Sequence, residues 1–127
     1  VSLAEAERLS LEYIRRFVPL ERKAPLAGNT IGTDRMFLAR YMPAVDGYLH
    51  YRNVDVSSIK ELSRRWYPRA YFQAPAKDGG HRALADILES IRELEYYRRA
   101  VFVADGPTSE EARHVAADVV SSFTPNV

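Results

Sequence analysis

The chain has 127 residues, 46% hydrophobic and 28% charged, which is enough apolar surface for one globular core and too little length for two. Without cysteine it forms no disulfide and no thiolate metal site, so carboxylates and the three histidines His50, His81 and His114 are left as metal ligands, a set that favours hard cations. A net charge of +1 excludes a basic tail for long nucleic acid, although fifteen of the 18 Lys and Arg are Arg, whose planar fork suits phosphate oxygens when it is more than a habit of composition.

No run approaches the roughly 18 apolar residues of a membrane span, and the N-terminus lacks the basic-then-apolar pattern of a secretory signal, so a cytoplasmic location is the default. Val1 is not Met, and the residues after it read as the opening of a helix belonging to something larger, as in a trimmed or processed chain. Leu3, Ala6, Ser10, Tyr13, Ile14 and Phe17 recur at helical spacing and predict an amphipathic helix over about 3–18, ended by Pro19. The short apolar run at 24–31 suits a buried strand, with Gly28 permitting close backbone approach. Thr33 can cap the next helix, which carries Phe37, Leu38 and Tyr41 inward, places Asp34 in its first turn and stops at Pro43.

Tyr48 through Asp55 alternates as a second strand would, and Ser58-x-x-Glu61 reads as a capping box for a helix whose apolar face is Ile59, Leu62 and Trp66. Pro68 closes that helix, and residues 69–80 read as a loop. The strongest helical pattern follows, with Leu84, Ile87, Leu88, Ile91 and Leu94 on one stripe. Val101-Phe102-Val103 reads as a short strand or packed tail. The loop Asp105-Gly106-Pro107 and a capping box Thr108-x-x-Glu111 then open a last helix to about Ser121, whose Ala112, Val115, Ala116 and Val119 are expected to pack on the body. His114 is expected on the solvated surface. The order is α/β, but short of strands for a complete sheet.

Three segments carry residues suited to chemistry. His81 follows two glycines just ahead of a helix, and Asp86 is expected on that helix's second turn, so an imidazole and a carboxylate can face one cleft; the same spacing also arises from a solvated cap and a surface Asp. Asp34, at a helix start after a buried strand, suits either a metal ligand or a partner for the helix dipole. Tyr51 and Arg52 stand beside a helix start bearing Ser57 and Ser58, a combination that can hold a terminal phosphate or amount to ordinary N-capping.

The joint pattern is more specific. Pro25-Leu26-Ala27-Gly28-Asn29-Thr30-Ile31-Gly32-Thr33-Asp34-Arg35 resembles the second exonuclease motif of the oligoribonucleases. His50 through Leu62, followed by Arg64-Arg65-Trp66-Tyr67-Pro68, is similar to a segment particular to that family. His81-Arg82-Ala83-Leu84-Ala85-Asp86 resembles the third motif. The resemblance covers residues 3 to about 102, in order and with sensible spacing, and leaves the tail outside it.

The resemblance implies a ribonuclease H-like exonuclease fold, a homodimer, and 3′-to-5′ hydrolysis of very short RNA, notably dinucleotides, by two divalent cations, Mg²⁺ or Mn²⁺. By position, Asp34 and Asp86 match two of four acidic ligands and His81 matches the general base. Thr30, Arg52 and Ser57 match the group that caps the 5′ phosphate, with Thr30 standing where Ser is more usual. Tyr51 matches the tyrosine that reaches the neighbouring subunit's site. The family's first motif, an Asp-x-Glu on an early strand, occurs nowhere here in a suitable context. The expectation is therefore an incomplete sheet lacking its N-terminal strands, with residues 1–103 as the C-terminal part of an exonuclease domain and 104–127 as a helical tail. Such a chain alone is expected to be inactive, its missing segment absent, cleaved or supplied as a partner. The competing expectations are a non-catalytic dimeric module that binds a nucleotide 5′ phosphate, and a degradation fragment.

Overall fold

A computed structural model describes residues 1–78 and 82–123. Among these the elements run α1 (Leu3–Phe17), β1 (Leu26–Gly28), α2 (Ile31–Tyr41), α3 (Pro43–Tyr48), β2 (Asn53–Asp55), α4 (Val56–Trp66), α5 (Pro68–Phe72), α6 (Ala83–Ala100) and α7 (Ser109–Ser122). The two strands pair in parallel, Leu26 opposite Asn53 and Gly28 opposite Asp55, with α2 and α3 as the crossover that a parallel pair needs. The chain is therefore rich in helix around a two-stranded sheet.

Local chemistry sets most boundaries. Ser2 caps α1 by accepting the Glu5 N–H, and α1 stops two residues before Pro19. Pro43 and Pro68 do not merely stop helices. Each also begins a new short one, α3 or α5, where the missing proline N–H costs nothing. This shortens two expected segments: Tyr48 belongs to α3, leaving only Asn53–Asp55 as strand, and the loop expected at 69–80 begins with most of α5. The cap of α4 is Asp55, which accepts the Ser57 N–H, so the helix begins two residues before Ser58 and the expected Ser58–Glu61 box does not form. Val101-Phe102-Val103 is a turn rather than a strand, whereas Thr108 caps α7 by accepting the Glu111 N–H as its sequence predicts.

The core is small: Ile31, Val45, Tyr48, Leu49, Val56 and Tyr97 are its buried hydrophobic residues. Tyr48 donates to the Val18 carbonyl at 2.5 Å, and Glu7 accepts the exposed Ala44 N–H at the start of α3, so α1 is fastened to α3 at two points. Arg35 ties the crossover together: its guanidinium donates to Asp46 Oδ1 at 2.6 Å, to the His50 carbonyl at 2.8 Å and to the Asp46 carbonyl at 3.2 Å. On α6 the buried residues are Glu93 and Tyr97, and Glu93 receives Lys77 at 3.5 Å and Lys60 at 3.7 Å. Tyr96 fixes α5 by donating to the Ala70 carbonyl.

Several stripes expected to turn inward stay uncovered. Phe37 and Tyr41 of α2, Leu62 and Trp66 of α4, and Leu84, Ile87, Leu88 and Ile91 of α6 are exposed. Helical periodicity marks which face is apolar, and nothing among the described residues covers these faces. The same holds for α7, which is exposed along its length instead of packing on the body; His114 is exposed as expected. No helix among the described residues is long and apolar enough to cross a membrane.

Candidate active site

The candidate site forms where β1 ends. A Cβ on Gly28 would stand 2.8 Å from Ile31 Cδ1, so a larger residue there would push aside the side chain of that buried isoleucine at the start of α2. The next two residues carry the turn. Asn29 donates through Nδ2 to Ser90 Oγ on α6 at 2.8 Å and accepts from Ser57 Oγ on α4 at 3.1 Å, tying three elements together through one amide. Thr30 is the N-cap of α2, in place of the expected Thr33, and adopts the left-handed conformation at φ 51° and ψ 42°. A β-branched residue is strained there. The hydrogen bonds that hold it are visible: its N–H donates to Asp55 Oδ1 at 3.0 Å and to Ser57 Oγ at 2.9 Å, and its own hydroxyl lies 3.2 Å from Ser57 Oγ.

That geometry sets Asp34 in the first turn of α2, as expected, and the start of α6 at Ala83 sets Asp86 in a first turn also, not in the second. The two aspartates line one cleft of about 790 Å³ between β1 and α6. Asn29 and Ser90 give it polar wall, and Ile87 and Ile91 give it apolar wall. Both carboxylates are on exposed residues, accessible from solvent. Among the described residues no group of three or more His, Asp or Glu side chains is placed to hold a metal ion. The residues present therefore fit part of a cation site: two carboxylates on a shared cleft, short of the ligands that a pair of cations needs.

His81 lies outside the described residues. The chain leading to it is pinned to α6, since Asp78 donates its N–H to Glu89 Oε1 at 3.0 Å and Lys77 pairs with Glu93. Thr30 and Ser57, expected as phosphate ligands, are brought into direct contact. Tyr51 and Arg52 sit on the segment entering β2. The Tyr51 ring stacks on His50 at 4.6 Å between centroids, the Arg52 guanidinium lies 5.5 Å from the Tyr51 centroid, and the Arg52 N–H donates to His50 Nδ1. No hydrogen bond or ion pair joins this pair to Thr30 or Ser57 among the described residues. Asn29, Asp55 and Ser90 organise the site and were not singled out from the sequence. Asp55 had a usable signal, an Asx two residues before a serine at a helix start; the link from Asn29 to Ser90 had none.

A model of a protein family described as Exonuclease matches residues 1–94. Curated relatives extend the match over nearly the whole chain. An oligoribonuclease of Leifsonia xyli subsp. xyli is 70% identical over 125 residues, 98% of this chain and 60% of the relative. Those of Streptomyces griseus, 61% identical over 125 residues, and Nocardia farcinica, 64% identical over 120, cover 98% and 94% of this chain and 62% and 56% of their own lengths. The chain thus spans about three fifths of the curated relatives it matches.

Proposed function

Because this chain belongs to the exonuclease family, we propose that the protein it represents is a 3′-to-5′ exoribonuclease that hydrolyses very short RNA, notably dinucleotides, to mononucleotides. The observation that carries this reading is the sharing of one cleft by Asp34 and Asp86, each in the first turn of a different helix. Two carboxylates at one opening suit a hard divalent cation such as Mg²⁺ or Mn²⁺. Such ions, when bound, supply a Lewis acid that activates water and neutralises the leaving oxygen. The chain's own residues do the rest. Asp34 and Asp86 would hold such cations in part, and His81 would take the proton from the attacking water, a role suited to an imidazole whose reference pKa of about 6.5 lies near working pH.

Thr30 and Ser57 offer two hydroxyls to the substrate's 5′ phosphate, and Arg52 offers a guanidinium. Their closure of the site would make length discrimination steric, because a longer chain must pass through an occupied wall. The exposure of Tyr51, at 72%, supports its reaching the corresponding site of a second copy in a homodimer. Residues 1–103 act as the C-terminal part of the exonuclease domain, with the tail separate from the chemistry. Two carboxylates cannot neutralise two divalent cations, so the 127-residue chain alone is expected to be inactive and its parent protein active.

The test is turnover of a labelled diribonucleotide with Mg²⁺ or Mn²⁺. The full-length protein should release mononucleotide, the 127-residue chain should release negligible amounts, and His81→Ala in the full-length protein should slow turnover by about two orders of magnitude or more. Rapid turnover by the 127-residue chain would overturn its inactivity, and normal turnover by His81→Ala would remove the assignment of the base. A full-length protein that binds the dinucleotide equally well without metal and never cuts it would replace the nuclease reading with a phosphate-binding module.

A further inference from the structure

The side chain of Asn29 stands between the two halves of the candidate site. Its Oδ1 accepts from Ser57 Oγ at 3.1 Å, and its Nδ2 donates to Ser90 Oγ at 2.8 Å. Ser57 belongs to the hydroxyl pair at the strand exits, where its Oγ also accepts the Thr30 N–H and lies 3.2 Å from the Thr30 hydroxyl. Ser90 belongs to the cleft of the two aspartates. It follows Asp86 by four residues on α6, a spacing that puts both on one helix face, and both line the cleft. Asp34 needs no such link to the hydroxyl pair, because Thr30 is the N-cap of the helix whose first turn carries it. Asp86 stands on a separate element. Among the described residues, the other hydrogen bonds and ion pairs that leave α6 run to α4, α5 and the segment ahead of α6, through Lys60, Ala70, Lys77 and Asp78. The bond from Asn29 to Ser90 is therefore the polar tie that fixes α6 against the junction of β1 and α2.

We propose that Asn29 is a positioning residue, which sets Asp86 relative to Thr30 and Ser57 and so lets the grip on a substrate's 5′ phosphate place the scissile phosphate at the cleft. The inference rests on the nuclease reading and on the phosphate role given to Thr30 and Ser57. In a dinucleotide the 5′ phosphate and the scissile phosphate are separated by one nucleoside, so both grips bear on the substrate at once. Binding energy gained at the remote phosphate raises turnover only when the frame between the two grips is rigid. A displacement of about 1 Å at the reacting groups can cost about a hundredfold in rate. An amide suits the task, because it carries a donor and an acceptor on one plane and serves two hydroxyls from one short side chain. Asn29 and Ser90 are both half-buried, so water competes for their bond less than it would at an exposed site.

The test uses the full-length protein with Mn²⁺ and a dinucleotide carrying or lacking a 5′ phosphate. Ser90→Ala cuts the tie at α6, leaves Asn29 on Ser57 and keeps a good helix former in place. It should lower kcat for the 5′-phosphorylated dinucleotide by about tenfold or more while KM stays within about threefold of the parent, so that the advantage conferred by the phosphate shrinks. Ser90→Thr, which keeps a hydroxyl, should recover most of the rate. Asn29→Ala releases Ser57 as well, so it should lower kcat and raise KM together, and adding Ser90→Ala to it should cost little more. Without cation, a titration with the 5′-phosphorylated dinucleotide should find Ser90→Ala binding as the parent does and Asn29→Ala binding several-fold more weakly. A Ser90→Ala protein with the parent's kcat would overturn the proposal. So would equal losses on the two substrates, which a merely structural role predicts, or losses at Asn29 and Ser90 that simply multiply. A parent protein that releases no mononucleotide would instead remove the nuclease reading, and this inference with it.

Discussion

The carboxylate of Asp55, at the end of β2, accepts the backbone N–H of Thr30, two residues beyond β1, at 3.0 Å. The same oxygen accepts the Ser57 N–H at 2.9 Å and so caps α4. One side chain therefore fixes the exits of both strands, and its loss should be felt at each. Asp55→Ala is expected to destabilise the chain by about 1–3 kcal/mol, the sum of a lost helix cap and a backbone donor left with one acceptor. Asp55→Asn keeps an acceptor oxygen and should recover most of that loss. Urea unfolding of the three proteins decides it; equal losses for Ala and Asn would mean that charge, not hydrogen bonding, carries the effect.

Thr30 separates stability from binding. Its left-handed backbone costs about 1–2 kcal/mol for a β-branched residue and nothing comparable for glycine, whereas its hydroxyl touches Ser57 Oγ. Thr30→Gly should therefore leave stability within about 1 kcal/mol, strain relief offsetting the lost contact. If the hydroxyl grips a 5′ phosphate as proposed, the same variant of the full-length protein should bind a 5′-phosphorylated dinucleotide several-fold more weakly. Unchanged affinity in a titration would take Thr30 out of the phosphate site.

Arg35 should not tolerate lysine. Its side chain is only 16% exposed and its guanidinium serves the Asp46 carboxylate, the Asp46 carbonyl and the His50 carbonyl in one plane. An ammonium group has neither the reach nor the planar fork to serve all three. Arg35→Lys is expected to cost about 1–3 kcal/mol by leaving part-buried acceptors unsatisfied, read as a shift of the denaturant midpoint at unchanged slope. A loss below about 0.5 kcal/mol would show that water replaces the missing bonds.

The helices were legible because side-chain periodicity and proline punctuation are local signals, and α1, α2, α4, α6 and α7 all fall close to where those signals put them. What the pattern could not say was what each apolar face meets. Ile87 and Ile91 keep helical spacing yet line an open cleft, and Glu93, which reads as a solvent residue, is buried beneath Lys60 and Lys77. At the site, the placing of Asp34 in a first turn followed from sequence, because it depends on a few adjacent residues. The left-handed Thr30 did not, since a β-branched residue argues against that conformation and only the distant Asp55 and Ser57 enforce it. The likeness of the three motifs to oligoribonucleases was legible in full, and the relatives from Leifsonia and Streptomyces bear it out.

Tyr97 ties stability to alkaline pH. It is fully buried, and its hydroxyl, like Glu93 Oε1, has no hydrogen-bond partner among the described residues. Burial, and then the neighbouring Glu93 carboxylate, hold the phenol above its ordinary value. The folded chain thus keeps this proton to a higher pH than the unfolded chain does. The contribution is complete below the ordinary tyrosine pKa of about 10, and it is lost as pH climbs past that value toward the raised one. Tyr97→Phe removes both the ionisation and the unpartnered hydroxyl while keeping the ring. The variant should match or exceed the parent by up to about 1 kcal/mol at neutral pH, and its unfolding midpoint should fall less steeply above about pH 10. A loss of more than about 2 kcal/mol at neutral pH would mean that the hydroxyl has a partner of its own, and parallel declines at high pH would mean that other groups govern alkaline unfolding.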